Sequence, residues 1–95
     1  MNVDIIWNNI VKCQGEKFHT TGREKIEFVY SFLDANTIMP KNVRGSKLYP
    51  IKKDTIEEVI AKYWPDSWPL TVSQLTDKYF APSYIVAILT DSRIV

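Results

Sequence analysis

The residue types from which most catalytic and metal sites are built are nearly missing from this chain, which has one histidine, one cysteine and three glycines. With His19 alone, neither an all-histidine metal site nor a histidine pair can form within one chain, and no cysteine or carboxylate spacing supplies the missing ligands. No metal and no cofactor is expected. Cys13, being single, excludes an internal disulfide and agrees with a reducing compartment. It falls on the apolar face of a helical segment, where a lone thiol reads as a small buried hydrophobe rather than a nucleophile. Gly15, Gly22 and Gly45 stand too far apart for a phosphate-cradling loop of the G-x-G-x-x-G or P-loop kind. There is no G-x-S-x-G, and a Ser-His-Asp arrangement through His19 has nothing else to support it, because His19 sits next to a turn as a solvated or hydrogen-bonded neighbour. Glu57 and Glu58 are adjacent rather than stacked along one helical face, which reads as solvated surface. These absences argue against an enzyme.

Long apolar runs are also missing: nothing approaches the roughly 18 residues of a membrane span. The opening MNVDIIWNNIVKC carries Asp4 and lacks a cationic leader and a small-residue cleavage site, so a signal peptide is not expected and a cytoplasmic location is. What is present is ordinary for a globular domain, with 45% apolar and 24% charged residues. At 95 residues the chain makes one domain, residues 1–95, too small for a roomy internal pocket. Pockets of roughly 300 Å³ or more belong on the surface of such a chain or between subunits.

The stretch Lys25 to Leu33, KIEFVYSFL, predicts the central strand. Ile26, Phe28, Tyr30 and Phe32 share one face, while Val29 and Leu33 make the other half apolar, so cover is expected on both sides. Before it, Val3, Ile6, Trp7, Ile10 and Val11 fall on one helical face and predict a helix over Val3 to Cys13, ended by Gly15. From Glu16 the period changes to two and predicts a first strand, joined to the central one through Thr21-Gly22-Arg23 with Gly22 supplying a positive φ. Asp34-Ala35-Asn36 is a second turn signal. Thr37 to Met39 then predicts a third strand, finished or placed at an edge by Pro40, and Lys47 to Ile51 a further irregular edge segment.

Asp54-Thr55-Ile56-Glu57 predicts the start of a second helix, with Asp54 as its cap and Ile56, Val59, Ile60 and Tyr63 as its apolar stripe. Trp64-Pro65 ends it. Thr71-Val72-Ser73-Gln74 predicts another capping box and a short helix to about Lys78, broken at Phe80-Ala81-Pro82. Six apolar residues in a row, Tyr84 to Leu89, fit a helix or a buried strand. Pro82 at a first helical position favours helix, with Asp91-Ser92 as the stop. The fold expected is α+β: an N-terminal helix, a three-stranded antiparallel sheet, then two to three helices.

Taken in order, the first helix, the hairpin with F-H-T-T-G and a long aromatic strand, the D-x-x-E helix ending in W-P, and above all P-S-Y-I-V-A-I-L-T-D-S-R-I (Pro82 to Ile94) form a pattern. It resembles a group of small uncharacterised bacterial proteins, of the sort carried as mobile gene cassettes in integron arrays. The resemblance spans most of the chain but rests on packing and turn features. It implies an α+β fold and self-association, and it implies no reaction and no catalytic residues.

Two features point to function. Tyr84, Ile85, Val86 and Ile88 lie on a helix apolar on every side, which a chain this size has few places to enclose, so a second copy is the simplest cover. Trp64 and Trp68 on a Pro-rich loop either anchor the same interface or plug the end of the core. The leading expectation is a non-enzymatic interaction module that forms a homodimer through its C-terminal third. The second feature is charge. Five cations, Lys41, Arg44, Lys47, Lys52 and Lys53, and no acid lie between Pro40 and Lys53, in a chain whose formal net charge is only +1. The alternative expectation is weak nucleic-acid or anion binding through this basic loop, against the plainer reading that its lysines protect a sheet edge. Convergence of the five cations beside an exposed aromatic such as Tyr49 separates the two. The Leu70 to Leu89 segment superficially resembles a helix-turn-helix, but its second helix presents apolar residues where base-reading side chains belong.

Overall fold

Phe28 and Tyr30, at alternate positions of one long strand, face inward and organise the chain. The computed structural model describes residues 1–23, 25–42, 44 and 48–95. The elements run α1 (Val3–Lys12), β1 (Phe18–His19), β2 (Glu27–Asp34), β3 (Thr37–Asn42), β4 (Ile51–Lys52), α2 (Lys53–Tyr63), α3 (Val72–Leu75) and α4 (Pro82–Leu89). The strands form one antiparallel sheet of four, not three, in the order β1-β2-β3-β4. The fourth is the short edge piece that ends the segment expected to be irregular. Pro40 does not finish β3 but lies within it, opposite Tyr30. Its carbonyl accepts from Leu48 N–H, away from β2, so the donor it lacks falls on a side where β4 no longer pairs.

Register sets the faces. Phe18 pairs with Phe28, Phe32 with Ile38 and Ile38 with Ile51, so these share one face, and the core joins that face to Ile6, Trp7 and Ile10 of α1 and to Ile56, Val59 and Ile60 of α2. The other face of β2 is not covered as expected: Val29 and Ser31 are half-buried and Leu33 is 54% exposed. Two apolar side chains, Val29 and Leu33, interrupted by Ser31, make too small a patch to require a second layer.

Local chemistry explains most element ends. Asn2 caps α1, its side chain accepting from Asp4 and Ile5 N–H at 2.9 and 3.2 Å. Beyond the helix, Gly15 takes φ +84 and donates to Tyr30 O at 3.1 Å, turning the chain into β1. The positive φ of the β1–β2 connection belongs to Lys25 (φ +45), not Gly22, and so Lys25 and Ile26 stand outside the central strand. Asp34 accepts from Asn36 N–H at 2.8 Å, closing the β2–β3 turn. α2 starts at Lys53 rather than at an Asp54 cap, because the Asn36 carbonyl in that turn accepts Lys53 N–H at 2.8 Å and replaces a side-chain cap. Thr71 and Gln74 form the expected capping box, yet α3 is a single turn.

α4 corrects the main expectation. Pro82 occupies its first turn, as expected, and Thr90 caps its end by donating to Val86 O at 2.6 Å. Ile85, Val86, Ala87, Ile88 and Leu89 are all buried within the single chain, and only Tyr84 stays half-exposed, its ring edge-on to Phe28 at 4.8 Å. An eight-residue helix is only about 12 Å long. The shortest principal extent of the molecule is 23 Å, so the fold can surround it. The C-terminal turn completes the cover: Ile94 is buried, Asn9 Nδ2 donates to Ile94 O at 2.9 Å, and Arg93 Nη2 donates to Lys17 O at 2.9 Å. Arg93 also lies 4.1 Å over the Phe18 ring and pairs with both oxygens of Asp91.

Candidate functional site

Four of the five cations of the basic loop lie among the described residues, on β3, the connection after it, β4 and α2. Lys41 is half-buried in β3 opposite Val29, and Arg44 is exposed on the connection after β3, its N–H bonded to Asn42 Oδ1 at 3.0 Å. Lys47 lies outside the described residues. Lys53 pairs with Asp4 at 3.7 Å. Lys52 and Lys53 border an open recess of about 620 Å³ together with Asp34, Asp54 and Glu57, whose carboxylates offset the local charge. The interface candidates divide in the same way. Ile85, Val86 and Ile88 belong to the core, Trp68 packs against it, and Trp64, 40% exposed, meets Trp68 edge-on at 5.3 Å.

A different constellation takes shape around Tyr49. Its ring stacks on Phe80 with centroids 5.4 Å apart and planes at 26°, yet Tyr49 is 61% and Phe80 77% exposed. Together they form one wall of an open recess of about 520 Å³, floored by Ile51 and the fully buried Ile85 and bounded by Pro50, Lys52, Thr55, Lys78 and Tyr79. Three parts of the chain build it. The segment entering β4 brings Tyr49, the first turns of α2 bring Thr55, and the turn between α3 and α4 brings Lys78, Tyr79 and Phe80. That turn is held in an unusual backbone state. Ala81, a residue with a Cβ, sits at φ +54 and ψ +46, a left-handed conformation that costs roughly 1–2 kcal/mol outside glycine. It separates the exposed Phe80 from Pro82, which starts α4.

The polar groups of the recess are arranged around this aromatic wall. Lys78 Nζ lies 3.4 Å from the Tyr63 hydroxyl and 5.9 Å from its ring centroid, a neutral neighbour that leaves its charge unpaired by any acid among the described residues. Burial, then a hydrogen bond with Glu58, push the Tyr79 phenol above its ordinary pKa, so it stays protonated. No carboxylate lines this recess among the described residues; Asp77 borders a smaller one of about 260 Å³ that adjoins it at Lys78, Tyr79 and Phe80.

Elsewhere the chemistry is sparse. His19 is exposed, 3.7 Å from Glu27. Cys13 is buried, and burial followed by Glu16 raises its thiol pKa, the opposite of what activates a nucleophile. Among the described residues no three of His, Cys, Asp and Glu gather as a metal ion requires, and no helix is long and apolar enough to cross a membrane.

Tyr49 was legible as an exposed aromatic beside cations, but Phe80 was not, since in sequence it reads only as the end of a helix. The signal available was an aromatic directly before Ala-Pro, with polar residues, Thr76 and Asp77, at the helical positions before it. Comparison with known proteins leaves the resemblance to cassette-type proteins where the residues put it: no family model matches the chain, and no curated protein or solved structure matches it.

Proposed function

We propose that this chain is a non-enzymatic binding module whose recognition surface is the recess walled by Tyr49 and Phe80. The observation that carries the proposal is the exposure of a stacked aromatic pair, 61% and 77%, over an apolar floor. Full burial of a Phe side chain is worth about 1.5–3 kcal/mol, and Phe80 contributes little of that to the folded chain. An occupant lying on the ring would recover it. The left-handed Ala81 beside it supports the same reading, since strain of this kind gathers where the backbone serves binding.

Anilinonaphthalene sulfonate, a ring system carrying one negative charge, is the probe. Wild-type protein should enhance its fluorescence, while Phe80→Ser and Tyr49→Ser should abolish most of the enhancement with unfolding temperatures within about 3 °C of wild type, because neither side chain is buried. Unchanged dye binding in both variants would reject the recess as the surface. So would unfolding of Phe80→Ser several degrees early, which would make the ring structural.

A second reading keeps the occupant within the family of one chain: a homodimer through the C-terminal third. With Ile85, Val86 and Ile88 inside the core, it rests on Phe80 and Trp64, both exposed. Light scattering separates the two. A dimer that Phe80→Ser converts to monomer makes the second copy the occupant, and a wild-type monomer at micromolar concentration removes that reading.

A further inference from the structure

Resting on the recess being the binding surface, we propose that it takes single-stranded nucleic acid, with a base laid on the Tyr49–Phe80 stack and its flanking phosphates at Lys52 and Lys78. The ligand must present a flat apolar face and negative charge. Two rings stacked at 5.4 Å and open to solvent offer π-faces, and the two charged side chains bordering the recess are both lysines. Among the described residues no carboxylate lines it and Lys78 makes no ion pair, so charge complementarity favours an anion, with Lys78 the stronger contributor because Lys52 also borders the recess that holds Asp34, Asp54 and Glu57.

The polar inventory argues for a strand over a mononucleotide. A site for one nucleotide identifies the base edge with fixed donors and acceptors, whereas the wall here is a Phe and a Tyr, the hydroxyls of Tyr49 and Thr55 rotate freely as donor or acceptor, and the nearby Tyr79 hydroxyl is engaged with Glu58. Stacking without edge contacts is how single strands are held with little sequence preference. A duplex is excluded because its bases are already stacked on each other. A peptide is less favoured, because the edge strands β1 and β4 have two residues each and give little backbone for strand addition. The recess, at about 520 Å³, has the size of one nucleotide unit rather than of a helix groove.

The test is fluorescence anisotropy with labelled single strands of about 12 nucleotides, oligo-dT and oligo-A, beside a duplex, a mononucleotide and heparin as competitors. Both single strands should bind at low salt with similar affinity. The log–log salt slope should be near −1.4, from two phosphate contacts at about 0.7 each. Lys52→Gln should lower the slope by about 0.7, and Phe80→Ser should weaken binding by roughly tenfold or more through lost stacking. Duplex bound as tightly as single strand, a mononucleotide bound as tightly as the 12-mer, or an unchanged affinity in Phe80→Ser would each overturn the proposal. If no oligonucleotide binds at low salt while the naphthalene dye still depends on Phe80, the ligand class falls and the binding surface stands. Displacement of that dye by an acidic aromatic peptide alone would assign the recess to a protein partner. Loss of the dye dependence as well would remove the surface itself.

Discussion

Removing one oxygen from the centre of the molecule tests how α1 is fixed to the sheet. The Tyr30 hydroxyl donates to Ile10 O at 2.6 Å, with both residues buried. Ile10 lies in the last turn of α1, where carbonyls run out of helical partners, and the N–H four residues on, that of Gln14, goes to Val11 O instead. Tyr30→Phe keeps the ring against Phe18 at 5.4 Å but leaves that carbonyl buried and unbonded. An unsatisfied buried acceptor costs about 1–3 kcal/mol. For a chain of this size each kcal/mol shifts Tm by about 4–8 °C, so a fall of roughly 4–20 °C is expected in a calorimetric or circular-dichroism melt. Burial also raises the Tyr30 phenol pKa above its ordinary value. A raised folded value means that its stabilisation is complete below the unfolded pKa of about 10 and is lost as pH rises beyond it. Wild type should therefore lose stability above about pH 10 more steeply than Tyr30→Phe. A variant melting within about 1 °C of wild type at neutral pH would show that the bond does not hold the helix.

Two further expectations address the core and the C-terminal turn. Ile88→Ala, at a fully buried position of α4, should destabilise by about 2–5 kcal/mol, and the wild-type Tm should not depend on protein concentration; a Tm that climbs with concentration would mean that a partner completes the core. Asp91 is held below the ordinary carboxylate pKa chiefly by its side-chain hydrogen bonds from Arg93. Its stabilisation is thus present above about pH 4 and lost as pH falls through the lower folded value. Asp91→Asn should cost about 1 kcal/mol at neutral pH and flatten the acid limb of the stability curve, and an unchanged acid limb would contradict the assignment.

How much of this was legible in the sequence depends on how far apart the cooperating residues lie. Ile6 with Ile10, Ile56 with Val59 and Ile60, the Asp34–Asn36 turn, the Thr71–Gln74 box and Pro82 at the start of α4 all act within one or two turns of chain, and the structure has each of them. Where a distant residue completes a local feature, the local pattern misleads. The Asn36 carbonyl replaces the expected Asp54 cap, and the far side of β2 goes without its expected cover. The burial of α4 depended on the terminal turn folding back through Arg93 and Ile94 to β1 and α1, a long-range arrangement that no periodicity encodes. The same limit governs the site. The run of cations was visible, but the pairing of Lys53 with Asp4 and the placing of Lys52 and Lys53 beside Asp34, Asp54 and Glu57 required the fold, as did the meeting of Tyr49 with Phe80 across thirty-one positions of sequence.

Backbone amide shifts in a ¹⁵N-labelled sample, followed while a single-stranded oligo-dT is added, test the central claim most directly. The account predicts that the amides that move cluster at Tyr49, Ile51, Lys52, Thr55 and Lys78 to Ala81, and that Phe80→Ser abolishes the movement. Shifts confined to the Trp64–Trp68 loop or the open face of β2, or none at low salt, would contradict it.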